Sequence, residues 1–273
     1  MKNLNSRFSH YKERIFVASF ALDCIETVSE LKLGMEINHT CVSNNLNKEN
    51  WKKTKQWIFE DLQRAECSPE RTIVHGPFTE ISPCSIDDRA LALTYDRTME
   101  AGQMAMEIGS KRLVLHTGYF PDLYYPQWHR EKSIEFWDKI DKEMDKNVEI
   151  YIENVFETDP VLYKEIIDQV ASPRINFCLD VGHITAMDNP KWPAVKWIEY
   201  LGQKIKHFHL HNNQGGKKDL HDDFFNGILD PTEIMEAIDT YCPNSTLTIE
   251  SKNAMATGKW LDDYFKGKIQ KTV

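Results

Sequence analysis

Eight short runs of β-forming apolar residues recur along the chain, and they constrain the fold more than any other feature. Segments with apolar positions at helical spacing separate most of these runs, which is the pattern of successive parallel strand–helix units. Eight such units predict a closed (β/α)8 TIM barrel in preference to an open sheet. The predicted strands are IFVASF (15–20), LGMEI (33–37), TIVH (72–75), RLVLH (112–116), VEIYIE (148–153), INFCLD (175–180), IKHFHL (205–210) and LTIE (247–250).

The length of the chain matches a single barrel. It has 273 residues, and one TIM barrel typically uses about 250. We therefore expect one TIM-barrel catalytic domain over residues 15–273, preceded by an N-terminal extension over 1–14 that is a loose tail or a cover on the barrel bottom. Among the helices, the segment 85–109 has Ser85 as its expected N-cap and Gly109 as its expected end.

Charge and cysteine usage narrow the class of protein. The formal net charge is -9, so no general basic field attracts nucleic acid, although a local basic patch is compatible with this total. The six cysteines are scattered without a C-x-x-C pair, which is typical of free thiols in a reducing compartment. The polar N-terminus and the lack of an apolar run near 20 residues favour a cytoplasmic protein without a membrane partner. The sequence does not predict an oligomeric state.

Metal-ligand residue types stand at the ends of six successive predicted strands. One polar residue at a strand end is commonly structural, but six in succession meet at the rim where TIM barrels form their sites. Several carboxylates in one pocket repel each other unless cations or protons neutralise them. Mixed imidazole and carboxylate donors suit Zn, Mn, Fe or Co better than Ca or Mg alone. The candidate ligands are His75, His116, Glu153, Asp180 with His183, His209, Asp219 with His221, and Glu250.

The stretch HFHLHNNQGGKKDLH, residues 207–221, holds four histidines. His207, His209 and His211 share strand parity, so all three can point inward, and parity does not choose among them. An extended loop lets Asp219 and His221 reach one ion together, and the Gly-Gly pair at 215–216 lets this loop turn back over the pocket.

In these residues the chain resembles the xylose-isomerase-like TIM barrels, which include endonuclease IV and many sugar isomerases and epimerases. The resemblance covers roughly residues 15–255 and is carried by CLDVGH, HFHLHNN and the later D-x-H. Endonuclease IV binds three zinc ions through nine ligands, and the resemblance implies that Glu153 bridges two of them. The implied ligands are His75, His116, Glu153, Asp180, His183, His209, Asp219, His221 and Glu250.

The chain also departs from both groups of relatives. The sugar enzymes bind one ion through four positions, here Glu153, Asp180, His209 and Glu250. Epimerases commonly add an Arg after strand seven near Pro-Gly-x-Gly, whereas this chain has Asp219-Leu220-His221 and Asn226-Gly227. Endonuclease IV has a Gly-containing loop where this chain has VFETDP, and no arginine-rich loop is evident here for gripping a duplex.

These patterns support two enzymatic hypotheses. The first is hydrolysis of a phosphoester in a small sugar-phosphate-like substrate by two or three divalent ions, most simply zinc, with Glu250 orienting or deprotonating water. The second is a sugar or sugar-phosphate isomerase or epimerase in which Glu153 and Glu250 move the proton. A third hypothesis is a non-catalytic metal-binding or sugar-binding barrel. We do not expect duplex DNA as the substrate.

Three residues are candidate substrate contacts. Lys217 lies near Asp219 and His221 in the sequence. It either contacts a phosphate of the substrate or belongs to a solvated turn. Tyr119 and Trp128 lie in the aromatic loop 118–130, which is either a lid over the substrate or a loop packed onto the barrel by its own rings.

Overall fold

A computed structural model describes residues 11–187 and 190–269. Eight parallel strands close into a barrel in chain order, so the predicted TIM barrel is confirmed. The strands are β1 (Ile15–Ala18), β2 (Gly34–Ile37), β3 (Thr72–His75), β4 (Arg112–His116), β5 (Glu149–Glu153), β6 (Ile175–Asp180), β7 (Ile205–Leu210) and β8 (Thr246–Ile249).

Helices follow the strands and cover the outside of the barrel. They are α1 (Cys24–Leu31), α2 (Lys48–Arg64), α3 (Asp88–Ile108), α4 (Pro126–Glu143), α5 (Val161–Val170), α6 (Val181–Ala186), α7 (Ala194–Leu201), α8 (Pro231–Tyr241) and α9 (Ala254–Phe265). Apolar side chains on the outer faces of the strands pack against them and form the main core. Within the described residues, no helix is long and apolar enough to cross a membrane.

The start of α3 corrects one sequence prediction. Asp87, not Ser85, caps this helix, because its carboxylate accepts the backbone N–H groups of Arg89 and Ala90. The hydroxyl of Ser85 instead donates to the carbonyl of Ser82. At the other end, Gly109 adopts the left-handed conformation that terminates the helix, as predicted.

The barrel interior is layered, and the layers position the site. Phe16, Ile73, Val114, Tyr151 and Cys178 form a compact apolar cluster inside the barrel. Four of them precede His75, His116, Glu153 and Asp180 by two residues on the same strand, so the polar side chains lie one layer above this plug. Gly34 makes room for the ring of Phe16, since a Cβ at this glycine would lie 2.4 Å from that ring.

Residues 11–14 form a short 3-10 helix against the N-terminal ends of the strands. The ring of Tyr11 stacks on Phe265 at 4.8 Å between centroids. Arg14 donates to the carbonyl of Ser245, directly before β8. This part of the expected extension therefore packs on the barrel bottom, and residues 1–10 lie outside the described residues.

Candidate metal centre

The C-terminal ends of β3 to β8 bring the nine predicted ligands to one rim. The ligand atoms fall into three adjoining groups, and within each group all of them lie within 4.8 Å of one another. We name these groups the first cluster (His75, His116, Glu153), the central cluster (Glu153, Asp180, His209, Glu250) and the loop cluster (His183, Asp219, His221, with His211).

The first cluster converges on one carboxylate oxygen. Glu153 Oε2 lies 3.0 Å from His75 Nε2 and 3.2 Å from His116 Nε2. Distances of about 3 Å between donor atoms are what ligands of one ion show when each is about 2 Å from the metal. The three side chains come from β3, β4 and β5, which are neighbours in the barrel.

The central cluster uses the other oxygen of the same glutamate. His209 Nδ1 lies 3.2 Å from Glu153 Oε1, 3.3 Å from Glu250 Oε2 and 3.7 Å from Asp180 Oδ2. All four side chains are buried. Glu153 thus faces both clusters, one oxygen to each, which is the arrangement expected of a bridging ligand.

The loop cluster forms where the chain returns after β7. Asp219 Oδ2 lies 3.0 Å from His221 Nε2 and 3.4 Å from His183 Nε2. The loop turns through the glycine pair at 215–216, both with positive φ, and closes with an antiparallel bridge between Asn212 and Asp222. The sequence-based interpretation of this loop therefore matches its observed path.

Backbone carbonyls orient three of the histidine rings. The Nδ1 atoms of His75, His183 and His221 each lie 2.9 Å from a carbonyl oxygen, of Gly76, Asn154 and Glu250 respectively. A carbonyl only accepts, so these Nδ1 atoms carry the proton and each Nε2 presents its lone pair to the cluster. Histidines that bind metals are held in this way.

The clustered charges shift one another's pKa values. Burial opposes ionisation of Asp180, but His183 and His211 outweigh it and lower its pKa to about 2. Burial together with the carboxylates of Asp180 and Glu153 raises the pKa of Glu250 to about 8. Burial would lower the pKa of His221, yet Asp219 and Glu250 raise it to about 9. Four carboxylates held this closely need positive charge beside them.

The donor set fits divalent ions that accept both nitrogen and oxygen. His209 Nδ1 and His211 Nδ1 are buried without a hydrogen-bond partner in the described part of the chain, and both face carboxylates of the clusters. A buried polar atom without a partner is costly, and a cation among the carboxylates would bind the lone pair of an unprotonated imidazole nitrogen. Imidazole and carboxylate donors are those of Zn, Mn, Fe or Co sites.

A cavity of about 590 Å³ opens directly above the clusters. Ligand residues form its floor, and Tyr119 lies in its wall together with phenylalanines 20, 78, 120 and 156. The ring of Phe78 stacks on His116 with centroids 4.6 Å apart. Among the described residues that line the cavity, none is Lys or Arg, so neither an ammonium nor a guanidinium group faces a substrate there.

Two predicted substrate contacts lie outside the cavity lining. The indole N–H of Trp128 donates to the carbonyl of Cys84 at 2.9 Å, and the ammonium of Lys132 lies 5.4 Å from its ring centroid. These contacts correspond to the packing alternative for the aromatic loop. Lys217 is exposed in the turn, with a positive φ of 58°. Substrate binding by these two residues stays a prediction.

Sequence reasoning missed Glu36, which is fully buried on β2. Its carboxylate lies 3.2 Å from His209 Nε2, on the side of the ring opposite to the central cluster. Glu36 is not the last residue of its strand, so an inspection of strand ends passes over it. The signal was present nonetheless, because a charge within the apolar run LGMEI requires a partner inside the barrel.

Two asparagine side chains hydrogen-bond to the backbone near predicted ligands and do not line the cavity. The side chain of Asn154 accepts from the backbone N–H of Asp180 and donates to its carbonyl. Asn213 donates to the carbonyl of Gly182 and accepts from the N–H of Leu220. Both side chains therefore fix backbone that carries ligand residues.

Fold and site together define a TIM barrel with clustered metal-type donors at the C-terminal rim of its strands. Residues 18–264 match the family model described as xylose isomerase-like TIM barrel, and the chain belongs to this family.

One curated protein and two solved structures show what the chain is similar to. The chain is 28% identical over 198 residues to a probable endonuclease 4 of Mesomycoplasma hyopneumoniae strain 7448, covering 65% of this chain and 68% of that protein. The crystal structure of a D-tagatose 3-epimerase-like protein superposes with a TM-score of 0.74 at 23% identity, over 93% of this chain and 97% of that one. A Thermus thermophilus protein soaked with ZnCl2 gives a TM-score of 0.73 at 20% identity, over 94% and 99%.

Proposed function

We propose that the chain is a metal-dependent hydrolase that cleaves a phosphoester in a small sugar-phosphate-like substrate. The observation that carries the proposal is the set of three adjoining clusters, two of which share Glu153. Two or three divalent ions would occupy them, zinc in the first place and Mn, Fe or Co as alternatives. The similarity to a probable endonuclease 4 and to a structure soaked with zinc chloride supports this choice.

The bound ions, Glu153 and Glu250 would have separate roles in the reaction. Bound ions would polarise the phosphoryl group and lower the pKa of a water. Glu153 would hold the first and central ions at a fixed separation, because its two oxygens face different histidines. Glu250 lies at the cavity floor, where its carboxylate would orient the attacking water or take its proton.

The cavity walls support a small substrate over duplex DNA. With neither Lys nor Arg among the described lining residues, the ions alone would neutralise the phosphate. A duplex would need several basic contacts to its backbone. The exposed rings of Phe78 and Phe120, with Tyr119 beside them, would contact the organic part of the substrate and exclude water from the reaction. Lys217 and Trp128 would contact the substrate only if their segments moved closer to the cavity.

The first test is metal content and phosphoester hydrolysis of protein purified without chelator or affinity metal. We expect two or three equivalents of a zinc-like metal per chain, and release of phosphate or alcohol from small phosphoesters. A double variant, Asp219→Ala with His221→Ala, would lose one ion and nearly all hydrolysis. Asp263→Ala, which removes a surface ion pair with Lys268, is the control. Near-normal hydrolysis in the double variant would contradict the proposal.

A sugar or sugar-phosphate isomerase or epimerase is the second candidate. The central cluster favours it, because Glu153, Asp180, His209 and Glu250 supply four donors for one ion without the other clusters. The structural similarity to a D-tagatose 3-epimerase-like protein and to a D-allulose 3-epimerase adds support. In this case Glu153 and Glu250 would remove and return a proton, and substrate would take up deuterium from heavy water.

Proton exchange and metal content separate the candidates. Loss of deuterium uptake in Glu250→Gln, with one equivalent of metal in the native protein, would favour the isomerase or epimerase. Release of phosphate without deuterium uptake would rule out the isomerase or epimerase. With all metal sites filled, failure to turn over any sugar or phosphoester would point instead to a binding protein.

A further inference from the structure

A buried carboxylate lies inside the barrel beneath the central cluster, on a different strand from His209. Glu36 belongs to β2 and His209 to β7, which are not neighbours in the sheet. Both side chains are fully buried. Glu36 Oε1 lies 3.2 Å from His209 Nε2. Both atoms are buried and neither has a hydrogen-bond partner among the described residues, so the two are in contact without hydrogen-bond geometry.

The second oxygen of Glu36 is already engaged. Oε2 accepts the hydroxyl of Thr248 at 2.5 Å and lies 3.1 Å from His207 Nε2. His207 is fixed in turn, with Nδ1 2.7 Å from the hydroxyl of Thr246. The carboxylate therefore has one orientation, in which Oε1 remains directed at His209.

This partner distinguishes His209 from three other cluster histidines. His75, His183 and His221 direct their outer nitrogens at neutral backbone carbonyls. The outer nitrogen of His209 instead lies 3.2 Å from a carboxylate oxygen, that of Glu36. A hydrogen bond to a charged acceptor is stronger than one to a neutral acceptor, and it makes the imidazole a better metal donor.

We propose that Glu36 is a positioning residue for the central ion, accepting the Nε2–H of His209 and thereby presenting His209 Nδ1 to that ion. The inference depends on the metal-binding part of the proposed function, and it holds whether the reaction is hydrolysis or epimerisation. Its consequence is an order of affinity. The central ion, with four ligand residues and this supported histidine, binds more tightly than the ions of the first and loop clusters.

The direct test compares Glu36→Gln with the native protein by titration of zinc against a chromophoric chelator. We expect the same number of ions at saturation, with the dissociation constant of the tightest ion raised about 10- to 100-fold and the others unchanged. Glu157→Gln is the matched control, because Glu157 is also buried but accepts from the N–H of Val155. Unchanged zinc affinities in a folded Glu36→Gln protein would overturn the inference.

A measurement on the native protein needs no substitution. In zinc-saturated protein labelled with 15N-histidine, we expect His209 to carry its proton on Nε2 and to bind metal through Nδ1. His75, His183 and His221 should show the opposite tautomer. Metal bound through Nε2 of His209 would refute the role of Glu36 while leaving the proposed function intact. A protein that binds no metal would instead remove the proposed function itself.

Discussion

At the scale of single residues, Glu153 is the carboxylate that histidine side chains surround. Its carboxylate is buried and lies within 3.4 Å of four histidine nitrogens, from His75, His116, His183 and His209. Burial opposes its ionisation, but His209 and His116 outweigh that effect and hold its pKa well below the usual range. The glutamate is therefore an anion in the folded protein, available to two ions at once.

Replacing this carboxylate tests the shared role. Glu153→Gln keeps the shape of the side chain but offers one neutral oxygen, so it can serve only one cluster. We expect at least one ion fewer per chain and a fall in kcat/KM of at least about 10²-fold, measured by elemental analysis and steady-state kinetics. Native metal content in Glu153→Gln would show that the two clusters do not depend on a common ligand.

His129 provides a prediction that is independent of metal. It is buried on α4, with Nδ1 3.1 Å from Cys84 Sγ, and burial lowers its pKa to about 4. The unfolded chain binds this proton with a pKa of about 6.5, so stability is lost as pH falls from about 6.5 towards 4. The loss is on the order of 3 kcal/mol over that range.

The matched variant His129→Phe removes this titration and keeps a ring of similar size. Urea unfolding of both proteins between pH 7 and pH 4.5 should give a shallower decline for the variant. Contributions common to both proteins, including those of the metal ligands, cancel in the difference. Parallel stability curves would mean that His129 does not titrate in this window.

At the scale of elements, α6 and the loop after β7 are coupled through His211. Its Nε2 lies 3.0 Å from Asp180 Oδ1, and its ring stacks on His221 with centroids 4.1 Å apart. A Cβ at Gly182 would lie 2.1 Å from His211 Cε1. The glycine of CLDVGH thus leaves the space in which this histidine links the central and loop clusters.

Gly182→Ala should therefore displace His211. We expect a cost of about 1–3 kcal/mol in unfolding free energy and weaker binding of the loop-cluster ion, measured by urea unfolding and zinc titration. Adding His211→Ala to Gly182→Ala relieves the clash, so it should recover stability beyond the sum of the single changes. Additive effects of the two substitutions would contradict a direct contact.

The elements also show what could be predicted from sequence. Strand positions followed from runs such as RLVLH and INFCLD, and parallel strands in a closed barrel necessarily bring their ends to one rim. The predicted N-cap of α3 was wrong. Ser85 and Asp87 are both acceptable N-cap residues, and local contacts decide between them. Glu36 could not be assigned to His209, because a cross-barrel distance is not encoded in strand order.

At the scale of the whole molecule, negative charge is concentrated at one end of the barrel, in a chain whose net charge is also negative. The formal net charge is -9, and four carboxylates of the site lie within adjoining clusters at one end of the closed sheet. Glu153, Asp180 and Glu250 are buried. Bound divalent ions would join strands β3 to β8 through these side chains, so metal binding and stability of the barrel should be linked.

Removing the ions should therefore destabilise the folded chain. A ligand that binds only the native state at about 1,000 times its dissociation constant contributes about 4 kcal/mol, which corresponds to a fall in Tm of roughly 10 °C for a chain of this size. We expect chelation to lower the Tm by this order and zinc to restore it. The double variant Asp219→Ala with His221→Ala should respond less, because it has one ion fewer to lose. Chelator should release the central ion last. A Tm that is the same with zinc and with chelator would show that the clusters do not bind metal in the native state.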